Sequence, residues 1–152
     1  MNQEGMSVIV RTVTRFVYGL ILVFGFYVIM HGHLTPGGGF QGGAVVASGF
    51  ALLVVAFGSA GLQGKLNLHW LQSLEEIGAL AFLALAFLGI GTAFFYNLLA
   101  GQAGGFLGGP AGTLAAGGTV PLMNWAVGLK VMTGIAAVVI VMLIGARKEG
   151  DV

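Results

Sequence analysis

Polar breaks divide this chain into four long apolar stretches, running approximately over 14–30, 40–60, 73–99 and 121–144. Each comes close to the roughly 20 residues that a helix needs to cross a hydrocarbon core about 30 Å thick. Backbone N–H and C=O groups must find partners inside lipid, which leaves helices or a closed barrel. Runs such as AFLALAFLGIGTAFF lack the period-two alternation of barrel strands, so helices are expected. The pattern predicts an all-α integral membrane protein with four transmembrane helices, forming a single membrane domain over 1–152.

Composition agrees with the pattern. Of the 152 residues, 57% are hydrophobic and only 7% are charged, whereas a soluble globule carries about a quarter of its residues charged. Arg11, Arg15 and the following apolar run resemble a signal peptide, but the run is long and leads into a glycine-rich loop rather than a small-residue cleavage site. A retained first helix is expected. Arg11 and Arg15 precede the first span, Lys65 lies between the second and third, and Arg147 and Lys148 follow the fourth. Four spans put these three regions on one side, and the positive-inside rule makes both termini cytoplasmic.

The breaks have their own chemistry. Ser73 is placed to cap the third helix, with Glu75 and Glu76 in a first turn whose dipole favours negative charge. LNLHWLQSL before it leaves room for a start one or two turns earlier, which would carry one of these acids into the bilayer. AGQAGGFLGGPAGTLAAGGTV, after the third span, is a long Gly/Ala loop without charge, suited to packing on protein or along the membrane surface. Pro121 suits the first turn of the last helix.

Lys130 is the clearest anomaly. It stands nine residues after Pro121 and seventeen before Arg147, ~13 Å along the helix from its outer end. Insertion there costs roughly 2.5–3.5 kcal/mol, so something must compensate. Its stem can snorkel or anchor a subunit contact, or its amine can border a hydrated ion path. With Glu75 and Glu76 at the cytoplasmic face, no acid of this chain is expected at its depth. A counter-group would then come from another chain or from water. Lys130, Glu75, Glu76, His31 and His33 are the ion-path candidates. His31 and His33 stand two apart with no Cys, Asp or Glu to complete a metal site, so protonation or hydrogen bonding at the outer boundary fits them better. No metal, cofactor or nucleic-acid partner is expected. The chain has no cysteine with which to ligate an iron–sulfur cluster.

Pro36, Gly37, Gly38, Gly39, Phe40, Gln41, Gly42 and Gly43 form PGGGFQGG at the start of the second span. The segment lacks the lysine and the preceding strand of a phosphate-binding loop. Gly38 with Gly42, and Gly39 with Gly43, have the spacing that lets transmembrane helices approach closely, so this is read as a helix-packing motif.

LVFGFYVIMHGHLTPGGGFQGGAVVAS resembles the signature of the MnhB/MrpB family, the B subunit of multisubunit sodium/proton antiporters, and GGTVPLMNWAVGLKV is similar to that family's second recurring stretch. The resemblance covers nearly the whole chain. It implies a small, noncatalytic accessory subunit of a cation/proton antiporter module, held in the cell membrane among other membrane subunits. Similar B-type subunits in archaeal membrane-bound hydrogenases and sulfur-reducing complexes imply redox subunits as the alternative company. A purely structural scaffold is the third reading. The Gly/Ala insertion at 104–117 departs from the compact form associated with the antiporter subunit.

Overall fold

The computed structural model describes residues 6–62, 67–88, 93–99, 109–110, 112–113 and 116–150. It contains four helices: α1 (Val8–His31), α2 (Gly39–Leu62), α3 (Leu68–Phe87) and α4 (Val120–Gly150). All four are long and apolar enough to span a membrane. Among the described residues there is no strand. The chain is thus an all-helical, multi-pass membrane protein. Lys65, Glu4, Asp151 and most of the Gly/Ala insertion lie outside the described residues.

Helices α1, α2 and α3 depart from the bounds read off the apolar runs. α1 begins at Val8 rather than near Thr14, because the Ser7 side chain accepts a hydrogen bond from Val10 N–H and caps it. α2 is interrupted at Gly58, whose φ of 67° and ψ of 179° are not helical, and the membrane-spanning part runs Gly39–Gly58. The carbonyl of Ala56 then accepts from Met6 N–H at 3.1 Å, tying the chain's amino-terminal end to the kink.

The third departure bears most on function. Asn67, not Ser73, caps α3: its side chain accepts from His69 N–H at 3.0 Å, and the first turn contains no acid. The helix stops at Phe87 instead of running to Leu99. Beyond it the chain turns back, so that Phe95 N–H donates to the carbonyl of Ala86 and the rings of Phe94 and Phe95 pack on Phe87 and Phe82. Apolar content alone does not distinguish a continuing helix from a segment that folds back on its aromatic face. Glycines at 89 and 91 lower helix propensity where the run was expected to continue.

The helices form an open layer. α1 packs on α2, α2 on α4, and α4 on α3, with a lighter contact between α1 and α4. Among the described residues α2 and α3 do not touch. Close approach is made by glycines. A Cβ at Gly42 would stand 2.5 Å from Ile29 Cγ1, and one at Gly43 would stand 2.8 Å from the Gly128 carbonyl oxygen. α2 thus presents one glycine edge to α1 and another to α4. Lipid tails are as apolar as the side chains, so close contact of this kind replaces hydrophobic burial as the force that joins the helices.

Candidate functional site

The site is built where α3 crosses α4. Lys130 is the eleventh residue of the α4 span, about 15 Å from its start. The start of α3 at Leu68 carries Glu75 two turns into its helix, about 10 Å from that end. The two charges meet: Lys130 Nζ donates to Glu75 Oε1 at 3.0 Å. This corrects the expectation that no acid of this chain reaches Lys130 and that its counter-group comes from another chain or from water. The expectation depended on a helix starting at Ser73, and the earlier start moves Glu75 inward by more than a turn.

Each charge sits against a glycine of the facing helix. A Cβ at Gly78 would lie 2.9 Å from Lys130 N and 3.1 Å from Lys130 Cβ, and one at Gly134 would lie 3.2 Å from the Glu75 carboxyl carbon and Oε1. Gly78 follows Glu75 by three positions and Gly134 follows Lys130 by four, so charge and glycine share a face on each helix. The backbones can then approach until the carboxylate reaches the amine without stretching either side chain. Neither glycine was singled out from the sequence. Their helical spacing from the two charges was the available signal.

The pair is not enclosed. Its side chains are 47% and 35% exposed for Lys130 and Glu75, respectively. Both line a groove of about 820 Å³ between α2 and α3, floored by α4 and lined by Phe40 of α2, Gln72 of α3 and Val138 and Val141 of α4. A lysine ammonium has three donors and a carboxylate two oxygens, so one hydrogen bond leaves capacity on both. Glu76 is exposed and does not line the groove.

The histidines lie at the opposite end of the fold from the α3 start. His31 stacks on Tyr27 with ring centroids 4.1 Å apart, and its Nδ1 stands 3.2 Å from the Tyr27 carbonyl oxygen, one turn back along α1. His33 packs against Gly117, and its two ring nitrogens are buried without a hydrogen-bond partner among the described residues. The structure therefore does not bring either histidine to the Lys130–Glu75 pair. Among the described residues no three His, Cys, Asp or Glu side chains gather as a metal-binding cluster.

In the PGGGFQGG segment, Pro36 is exposed and Gly37 takes a φ of 135°, a turn conformation that favours glycine. The carbonyl of Gly38 accepts from Gly42 N–H at 3.0 Å as the helix begins. Gly39 lies directly against the backbone of Asn124 and Gly128, and Gly43 against Gly128 and Val131, both on α4. Phe40 and Gln41 are exposed, Phe40 toward the groove. The start of α4 is pinned by Asn97, which the sequence did not mark. Its Oδ1 accepts from Thr119 N–H at 2.8 Å and Thr119 Oγ1 at 3.0 Å, and its Nδ2 donates to the Gly117 carbonyl at 2.9 Å.

The fold defines a polytopic membrane protein in which a lysine and a glutamate pair between two of the candidate spans. The chain belongs to the family described as a domain related to the MnhB subunit of the Na+/H+ antiporter, whose model matches residues 9–137. An uncharacterized protein of Methanocaldococcus jannaschii is 39% identical over 118 residues, covering 77% of this chain and 45% of that protein. A Staphylococcus aureus protein that carries the name antiporter subunit mnhB2 is 52% identical over 51 residues, 34% of this chain and 36% of that one. One chain in the solved structure of the membrane-bound sulfane sulfur reductase, an archaeal respiratory membrane complex, is similar with a TM-score of 0.77 and 29% identity. That match covers 93% of this chain and 62% of the other, so the chain spans less than two thirds of each of these three proteins.

Proposed function

We propose that this chain is a noncatalytic accessory subunit of a multisubunit sodium/proton antiporter module in the cell membrane, with the Lys130–Glu75 pair bordering a hydrated ion path. The observation that carries the reading is the pair itself, held by two glycines near mid-span and left open on one side. Ionisable residues within spans are rare and mark ion or proton pathways in many membrane proteins. The distribution of Arg11, Arg15, Lys65, Arg147 and Lys148 supports cytoplasmic termini. Other antiporter-module membrane subunits are its partners in this reading.

The test is Lys130→Met in the assembled complex, with cation-driven proton movement followed in everted vesicles. Assembly should persist while transport falls severalfold. Undiminished transport removes Lys130 from the ion path, and loss of assembly assigns it to scaffolding.

A second reading is supported by the similarity to a chain of a respiratory membrane complex: the same kind of subunit would serve an antiporter-like module coupled to electron transfer. Copurification from native membranes separates the two. Antiporter-type subunits alone support the first, and cysteine-rich redox subunits in addition support the second.

A further inference from the structure

The groove beside the ion pair raises a separate question, namely what covers it. In water the free donors of Lys130 and the second carboxylate oxygen of Glu75 would be solvated. In a bilayer the groove opens sideways toward acyl chains, which offer neither donor nor acceptor, and an unpaired polar group there costs several kcal/mol. A trench open to lipid along one side does not retain water without a wall. Within the described residues the chain supplies no wall, because α2 and α3 stand apart on either side of α4.

The walls the chain does supply are of mixed chemistry. Phe40, Val138 and Val141 give an apolar rim, with exposures of 62%, 58% and 53%. Gln72 and Glu75 form a polar strip one turn long on α3, leading to Lys130 on the floor. α3 is also the span least covered by the rest of the chain, with 11% of its window buried, and the least hydropathic of the four. Its exposed surface carries Gln72, Ser73 and Glu76. A helix of that kind is poorly suited to facing lipid and well suited to facing protein.

We propose that the α2–α3 groove is the docking seat for a transmembrane helix of a neighbouring subunit, one that carries an acidic or amide side chain at the depth of Lys130. The apolar rim accepts the partner's apolar residues. Its acceptor takes a second hydrogen bond from the Lys130 ammonium, completing a three-member polar contact with Glu75 and sealing the groove from lipid. Interhelical hydrogen bonds of this type join transmembrane helices. The inference rests on the chain being a subunit of a multisubunit assembly, but it is tested separately from that reading.

The photo-crosslinking residue p-benzoylphenylalanine, placed at Phe40 or at Val138 and irradiated in membranes containing the full complex, reads out the occupant. Mass spectrometry of the adduct should identify a membrane-spanning peptide of a different subunit that contains an acid or amide within its apolar run. Adding Lys130→Met should lower the adduct yield severalfold in complexes that stay assembled through their other contacts, while Phe57→Leu, far from the groove, should leave it unchanged. Adducts only with lipid, adducts with a second copy of this chain, a partner peptide without a polar residue in its span, or no adduct at either position would each overturn the proposal. Purification of this chain without any other membrane subunit would instead overturn the accessory-subunit reading itself.

Discussion

Two helix contacts in this molecule are built from the same material and end differently. Where α2 meets α1 and α4, Gly39, Gly42, Gly43 and Gly49 are buried and the packed backbones seal the contact. Where α3 meets α4, Gly78 and Gly134 again bring backbones together, but the space they open holds a lysine and a glutamate and remains open on one side. The first contact is complete within the chain. The second supplies half of a polar arrangement. Glycine in a membrane helix thus serves two ends: close packing of backbones, and room for a charge to reach its partner across an interface.

The sealed contact is the easier to break. Gly39→Leu drives a side chain into the backbone of Asn124 and Gly128, and overpacking of this kind should cost about 3 kcal/mol. The expected outcome is loss of the α2–α4 contact, seen as a lower melting temperature in detergent and poor recovery of folded protein. An unchanged melting temperature would show that α2 slides past the obstruction and that the seal is not specific.

The open contact should respond less and in a different way. In a cycle of Glu75→Gln, Lys130→Met and the double variant, the two singles should each destabilise and the double should recover part of the loss. The coupling should be about 1–2 kcal/mol, within the usual range for contacting residues. Additive effects would mean that the pair contributes no stability of its own and is retained for another purpose.

The smallest effect is expected at the rim of the sealed contact nearer the start of α1, where the Arg15 guanidinium lies 5.3 Å from the ring centroid of Phe57. Phe57→Leu should cost about 0.5–1 kcal/mol, the usual worth of a cation–π contact at an exposed site. A much larger loss in thermal stability would extend the sealed contact to the end of the span.

Much of this was legible before the fold was known. Four apolar runs are a solvent argument: the bilayer demands helices of a set length, whatever their neighbours. The glycine edge of α2 was legible because helical spacing puts Gly39 and Gly43 on one face. Lys130 was legible because a charge at that position contradicts its surroundings. The partner of Lys130 was not. Whether Glu75 lies at the membrane surface or within the span turns on which of Asn67 and Ser73 begins α3, and both residues are good caps. The six-residue difference between these two caps moves every later side chain by about 9 Å in depth.

The amino-acid sequence by itself determined the number and character of the spans, the close-packing edge of α2 and the presence of a cation within the last span, because each follows from local periodicity and the cost of transfer into lipid. Only the tertiary structure decided that α3 stops at Phe87, that α2 and α3 stand apart, and that Glu75 meets Lys130 between two glycines. Those features depend on residues 55 positions apart coming within 3.0 Å, and such a distance is set by how helices cross rather than by any one helix.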